Sequence, residues 1–149
     1  MFKVTKQIRF SYGHRLLNYN GKCRFLHGHN AIVEMELSKE KLDHRGMVMD
    51  FEDVKQGIQK WIDETLDHKM ILNETDSIIP ILQKLNEPLV LLKGNPTAEN
   101  LARFIFDYAQ SKGFPVTEVR FWETPSSFAT YHSSLTPGTE PQVPSRRSS

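Results

Sequence analysis

Two stretches near the start of the chain alternate in polarity, and this alternation constrains the fold more than any other feature. Between residues 2 and 14 the even positions carry apolar or aromatic residues and a histidine, with Lys6 as the exception. Because side chains along a strand point alternately to its two faces, this pattern predicts a strand with one buried face. A second such strand is predicted by the odd positions, which carry His27, His29, Ala31, Val33, Met35 and Leu37.

The rest of the chain predicts two amphipathic helices and additional strands. Apolar residues recur at helical spacing in residues 51–66, behind the N-cap Asp50, and again between Asn95-Pro96-Thr97 and Gly113. Short apolar or alternating runs predict strands at 89–93, 116–124 and 128–131, whereas 76–85 is ambiguous. Since no helix separates the first two strands, we expect an α+β fold in which helices pack on one face of an antiparallel sheet.

Composition excludes several classes of partner. The 149 residues fit one domain, and 19 Lys+Arg against 18 Asp+Glu leave no basic excess for a nucleic-acid or anionic-membrane surface. No apolar run reaches the roughly 20 residues of a membrane span, no signal peptide is evident, and a single cysteine cannot form an intramolecular disulfide. We therefore expect a cytoplasmic protein with one domain over residues 1–132. Residues 133–149 lack aromatics and predict a disordered tail.

The stretch CRFLHGHN, residues 23–30, holds the only cysteine of the chain and two histidines. A zinc finger is excluded, because one cysteine cannot supply the thiolates of such a site. Adjacent strands lie ~4.8 Å apart, so His14 on the first strand and His27 and His29 on the second can converge on one cation. Three imidazoles with an open fourth position are typical of catalytic zinc sites. Ordinary core histidines are the alternative interpretation.

Cys23 has two interpretations as well. A free cysteine is most often a small buried hydrophobe. A nearby cation would instead favour the thiolate and make Cys23 a nucleophile or base, and the flanking Lys22 and Arg24 would act in the same direction. Its position in a turn of Gly, Lys and Arg argues against burial.

The triplet Leu-Asp-His occurs twice, at residues 42–44 and 66–68. An aspartate can hold a histidine in one tautomer and stabilise its protonated form, which makes an acid/base pair. The first triplet lies in a charged turn and is interpreted as a solvated hairpin. The second follows a predicted buried helix and precedes apolar residues, so Asp67 and His68 are the favoured pair.

Two glutamates complete the candidate residues. Glu123 is in phase with Val119 and Phe121 and should face the packed side of the sheet, where an unpaired charge is costly. It either forms a salt bridge with a Lys or Arg, or anchors a ligand by accepting two parallel N–H bonds from a guanidine-like edge. Glu99 lies in the first turn of its helix, where the helix dipole explains it.

Six motifs in register resemble the 6-pyruvoyl-tetrahydropterin synthase / 6-carboxy-tetrahydropterin synthase family. They are FSYGHRL, CRFLHGHN, GMVMDF, LDHKMILN, NPTAENLA and WETPSSFATY, and they run from Phe10 to Tyr131. The resemblance implies a tunnelling fold, with an antiparallel four-stranded sheet and two helices on one face. It also implies a homo-oligomer, either a trimeric barrel or a hexamer of two stacked trimers. Tyr12 departs from the family pattern, in which small residues are common before the histidine.

The resemblance further implies the roles of the candidate residues. Zn²⁺ would be bound by His14, His27 and His29, and Cys23 would be the catalytic cysteine. Asp67 and His68 would be its acid/base partners. Glu123 would anchor the pterin ring, and Thr97 and Glu99 would line the same pocket.

The implied substrate is dihydroneopterin triphosphate. The compact loop GKCRFLHGH resembles the bacterial carboxy type, which releases acetaldehyde and triphosphate and feeds queuosine biosynthesis. A 6-pyruvoyl-tetrahydropterin synthase, which only eliminates triphosphate, is one alternative. A non-catalytic pterin-binding module is another, and turnover distinguishes it from an enzyme.

Overall fold

The structure is a computed structural model that describes residues 1–134. The predicted boundary at residue 132 is not tested by it, and the predicted tail from residue 135 onward lies outside the described residues. Six strands are present, and we label them β1 to β6 in chain order: Phe2–His14, His27–Lys39, Lys69–Asn73, Leu89–Leu92, Val116–Thr124 and Ser127–His132.

All six strands form one sheet in the order β4-β3-β1-β2-β5-β6. Strands β1, β2, β5 and β6 pair antiparallel, and they make up the four-stranded antiparallel sheet that was expected. Strand β3 adds in parallel to β1, and β4 in parallel to β3. The predicted four-stranded antiparallel sheet is therefore wrong in detail, because the sheet is mixed and has six strands. Both added strands are short apolar runs, whose periodicity does not distinguish strand from buried helix.

Residues 1–134 form three helices, not two. Helix α1 is continuous and consists of α-helical Phe51–Val54, π-helical Lys55–Gln59 and α-helical Lys60–Thr65. The short helix α2 (Ile79–Lys84) occupies the region that the sequence left ambiguous, and α3 spans Ala98–Ser111.

Both long helices begin at side-chain caps, of which the sequence predicts Asp50. Asp50 accepts a 2.9 Å hydrogen bond from the Glu52 amide at the start of α1. Thr97 accepts one of 3.2 Å from the Asn100 amide at the start of α3. Each cap satisfies an amide that has no partner inside its helix, which fixes where the helix begins.

The core lies between one face of the sheet and helices α1 and α3. Apolar side chains of both helices and of β1, β2 and β5 belong to a single buried cluster, among them Ile8, Val33, Met35, Ile58, Ile62, Leu101, Ile105 and Phe121. The opposite face carries polar residues such as Ser11 and Asn30. None of the helices in residues 1–134 is long and apolar enough to cross a membrane.

Candidate functional site

Three histidines meet at the end of the β1–β2 ladder, on the core side of the sheet. His14 lies directly opposite His27, and Tyr12 lies opposite His29. One ring nitrogen from each of the three histidines lies within 4.8 Å of the others. The sequence prediction that these three side chains share a face and converge is confirmed.

Hydrogen bonds fix the tautomers of two of these rings. Nδ1 of His14 lies 2.7 Å from the carbonyl oxygen of Pro96, and Nδ1 of His27 lies 2.7 Å from that of Phe25. A carbonyl oxygen only accepts hydrogen bonds, so each Nδ1 carries the proton and each neutral ring presents its Nε2 lone pair. The two Nε2 atoms lie 3.0 Å apart. Two lone pairs that face each other repel unless a cation or a proton lies between them, so this donor set fits a metal ion.

Burial favours the uncharged, metal-binding form of His14 and His29. Burial lowers the pKa of His14 to about 4, and the neighbouring His27 and His29 lower it further, against the opposing effect of the Pro96 carbonyl. Burial also lowers the pKa of His29, although Glu123 opposes the shift. At neutral pH His14 is therefore an uncharged imidazole, which is the form that coordinates a metal.

A cavity of about 220 Å³ adjoins the triad. It brings together five of the residues that the sequence singles out, namely His14, Cys23, Thr97, Glu99 and Glu123. An imidazole, a thiol and carboxylates thus share one concave space, which is the usual form of a small-molecule site.

Cys23 reaches this cavity from a 3₁₀ turn, Lys22–Arg24, in the loop between β1 and β2. Its side chain is partly exposed, so the interpretation as a buried core residue is wrong. The amide of Leu16 donates a 2.8 Å hydrogen bond to the carbonyl of Cys23 and ties the turn back to the end of β1.

Glu123 lies on the core side of β5, as its phase predicts, and is partly buried. Among residues 1–134 no Lys or Arg forms a salt bridge with it, so the described residues do not support the salt-bridge interpretation. Its Oε1 instead accepts a 3.4 Å hydrogen bond from the buried hydroxyl of Tyr12. Burial and the charge of Glu123 both raise the pKa of Tyr12, so this hydroxyl remains a donor.

Asp67 and His68 form the predicted pair but lie away from this cavity. His68 Nδ1 lies 2.9 Å from Asp67 Oδ2. Adjacent side chains can meet here because His68 adopts a left-handed backbone with φ of 57°. Burial raises the pKa of Asp67, but hydrogen bonds from Ser11 and His68 outweigh it and lower the pKa overall.

The position of this pair is set by the polar face of the sheet. The amide of Ser11 donates to Asp67 Oδ1 at 2.9 Å, and Asp67 lines a separate cavity with Asn30 and Trp122. His68 projects outward with 81% of its side chain exposed. Within one chain the pair does not share a cavity with Cys23.

The turn Asn95-Pro96-Thr97 contributes contacts that sequence reasoning missed. Thr97 lines the cavity and caps α3, and Glu99 follows in its first turn. The Asn95 side chain bonds to the main chain of Leu17, and the Pro96 carbonyl holds His14. The turn residues were visible in the sequence as a helix start, but their partners were not.

Comparison of this chain with known proteins agrees with these features. Residues 3–134 match the family described as 6-pyruvoyl tetrahydropterin synthase. This chain belongs to that family.

Relatives of the family are similar over most of their length. A 6-carboxy-5,6,7,8-tetrahydropterin synthase from Rickettsia conorii is 37% identical in an alignment of 135 positions that covers 86% of this chain and 98% of the relative. Another, from Haemophilus influenzae, is 36% identical in an alignment of 139 positions that covers 88% of this chain and 99% of the relative. The family resemblance expected from the six motifs is thereby confirmed.

Solved structures of other proteins share the fold. An uncharacterized protein from Wolinella succinogenes superposes with a TM-score of 0.77 at 27% identity, covering 88% of this chain and 97% of its own. The 6-pyruvoyl tetrahydropterin synthase of Caenorhabditis elegans gives 0.66 at 25% identity, covering 89% and 96%. The α+β architecture of this chain is therefore that of the pterin synthases.

Proposed function

We propose that the protein is a zinc-dependent 6-carboxy-tetrahydropterin synthase. The observation that carries this proposal is the convergence of three imidazoles beside a cavity that also holds Cys23 and Glu123. The names of the Rickettsia and Haemophilus relatives support the carboxy product. The substrate would be dihydroneopterin triphosphate.

His14, His27 and His29 would hold the zinc ion. Neutral imidazoles suit Zn²⁺, and three protein ligands leave a position open for substrate, as in catalytic zinc sites. Zinc bound there would supply Lewis acidity to the hydroxyl groups of the substrate side chain and so acidify the adjacent C–H and O–H groups.

Glu123 would anchor the pterin ring, with Thr97 and Glu99 lining the same pocket. A carboxylate accepts two parallel N–H bonds from a guanidine-like edge, and the pterin ring carries such an edge. The Tyr12 hydroxyl bonds to one oxygen of Glu123, which helps to hold the carboxyl group in place.

Cys23 would act as the base that removes a proton from the substrate side chain, with His68 shuttling protons while Asp67 orients its ring. Because His68 points outward and does not share a cavity with Cys23 in one chain, we propose that the pair serves the cavity of a neighbouring subunit. This arrangement would make the homo-oligomer, a trimer or hexamer, a requirement for activity.

The net reaction would consume one water and yield 6-carboxytetrahydropterin, acetaldehyde and triphosphate. The carboxy product would feed the deazaguanine route to queuosine, in the cytoplasm. A 6-pyruvoyl-tetrahydropterin synthase is the second candidate, because the matched family and the Caenorhabditis structure carry that name. It would act through the same residues but would stop after triphosphate elimination.

Mass spectrometry of the products from dihydroneopterin triphosphate tests the proposal. We expect a carboxypterin and an equal amount of acetaldehyde from zinc-loaded protein. A pyruvoyl product without acetaldehyde would assign the second candidate. Binding of the pterin without turnover would overturn both and leave a binding module.

A further inference from the structure

We propose that Asn95 is a positioning residue that holds the Cys23 thiol against the imidazole triad. The inference rests on the proposed function, because it assumes that Cys23 and the triad act together. It concerns the loop of residues 15–26, which carries Cys23 between β1 and β2 and contains little regular structure.

The Asn95 side chain clamps this loop by two hydrogen bonds. Its Oδ1 accepts from the Leu17 amide at 2.9 Å, and its Nδ2 donates to the Leu17 carbonyl at 2.8 Å. One side chain thus satisfies both main-chain polar groups of a loop residue, much as a neighbouring strand would. A third, longer bond of 3.4 Å from Asn73 Nδ2 on β3 steadies the Asn95 oxygen.

The clamp reaches Cys23 through the next residue. Leu16 precedes the clamped Leu17, lines the cavity, and donates its amide to the Cys23 carbonyl at 2.8 Å. The position of the thiol turn therefore depends on where Asn95 holds Leu17.

The same turn fixes the first histidine of the triad. Pro96 follows Asn95 directly, and its carbonyl accepts from Nδ1 of His14 at 2.7 Å. Two consecutive residues, Asn95 and Pro96, thus hold the thiol loop and an imidazole of the triad. An arrangement of this kind sets the distance between base and metal, and misplacement of a reacting group by about 1 Å can cost 100-fold in rate.

Two variants separate this role from a general structural one. Asn95→Ala removes both bonds to Leu17. Asn95→Asp keeps the size of the side chain but loses the donor to the Leu17 carbonyl, so it tests the clamp even if the alanine variant folds poorly. Gln110→Ala is the control, because Gln110 is an exposed side-chain amide near the other end of α3.

The readouts are zinc content, kcat and KM for dihydroneopterin triphosphate, and the rate of alkylation by iodoacetamide. Since Cys23 is the only cysteine of the chain, the alkylation rate reports on its thiol alone. In both Asn95 variants we expect kcat to fall about 10- to 100-fold, with zinc retained and KM nearly unchanged, while Cys23 alkylates faster. A thiol that is more accessible but less effective in catalysis is what loss of positioning predicts.

The control variant should match wild type in all of these measurements. Unchanged kcat and alkylation in folded Asn95→Asp would overturn the inference, and so would zinc loss in proportion to the loss of kcat. Wild-type protein that binds zinc but never turns over the pterin would refute the proposed function instead, and the alkylation rates would still test the clamp.

Discussion

The Nε2 atoms of His14 and His27 lie 3.0 Å apart, while a main-chain carbonyl holds the proton on Nδ1 of each ring. Two neutral imidazoles in this arrangement present lone pairs to each other and not a hydrogen bond. The relationship is unfavourable without a cation and favourable with one. It is the structural basis for assigning a metal to this end of the sheet.

Removing one triad imidazole should abolish stoichiometric metal binding. For His29→Ala we expect affinity for zinc to fall by more than about 100-fold. Loss of a residue that merely hydrogen-bonds to a metal ligand already lowers metal affinity 10- to 100-fold. Elemental analysis of the purified protein measures this. His44→Ala is the control, because His44 is exposed and lies in a turn outside the triad, and it should keep its zinc. Equal zinc in both variants would contradict the assignment.

Mixing two inactive variants should restore activity if Asp67 and His68 serve a neighbouring subunit. Cys23→Ala and His68→Ala should each be inactive alone. In mixed oligomers some cavities combine an intact Cys23 from one subunit with an intact His68 from the next, so about a quarter of the wild-type activity is expected from random pairing. Turnover after refolding the two together measures this.

The control for this experiment is either variant refolded by itself, which should remain inactive. Mass spectrometry of the intact assemblies shows whether mixed oligomers have formed. Mixed oligomers without any recovered activity would mean that the pair and the thiol belong to the same chain's site. Activity of His68→Ala refolded by itself would mean that His68 has no catalytic part.

The hydroxyl of Tyr12 should affect KM for the pterin through its hydrogen bond to Glu123. Tyr12→Phe removes only the donor to Glu123 Oε1, and we expect KM for the pterin to rise about threefold to tenfold, as for one hydrogen bond to a charged group at long distance. Zinc content should stay the same. In a Glu123→Ala background the same change should have little further effect, because both substitutions then remove one interaction. Additive effects on KM would place the role of Tyr12 elsewhere.

A buried ion pair next to the triad should make stability depend on acid pH. Arg15 bonds with both its Nε and its Nη2 to Asp76, whose side chain is fully buried. Arg15 is the main reason that the pKa of Asp76 lies below its ordinary value. Since the folded pKa is depressed, the stabilisation is present above the unfolded pKa of about 3.9 and is lost as pH falls through the folded value.

Urea unfolding of Asp76→Asn measures this contribution. At pH 7 we expect a loss of about 2–3 kcal/mol, somewhat below that for a fully buried pair, and a smaller difference from wild type below about pH 4. Asp107→Asn is the control, because its pair with Arg103 is exposed and should contribute less than about 1 kcal/mol. A pH-independent loss in Asp76→Asn would contradict the ion-pair explanation.

The phase of two strands was enough to predict the triad from sequence. Alternation places His14, His27 and His29 on the core-facing sides of two strands, and these strands are consecutive in the chain with no α-helix between them. The strand predicted at 89–93 is confirmed as β4, Leu89–Leu92, whereas β3 was harder, because the five residues Lys69–Asn73 are too short for periodicity to distinguish them from helix. Their parallel addition to the sheet depends on long-range packing that no local pattern encodes.

Other parts of the site depend on main-chain geometry. The carbonyls of Pro96 and Phe25 that orient two histidines leave no trace in the side-chain pattern. The contact between Asp67 and His68 requires a left-handed backbone at His68, which sequence does not predict for a non-glycine residue. The pair faces away from Cys23 because Asp67 bonds to Ser11, which lies on the polar face of β1. The sequence implies this position of the pair only once β3 is known to adjoin β1.

Acetaldehyde release by Cys23→Ala, measured beside wild type on zinc-loaded protein, tests the central claim most directly. The claim is that Cys23 does chemistry while the imidazoles hold the metal. It predicts that wild type converts dihydroneopterin triphosphate with one acetaldehyde per carboxypterin formed, and that Cys23→Ala keeps its zinc but releases none. Full acetaldehyde release by Cys23→Ala, or loss of its zinc, would contradict the claim.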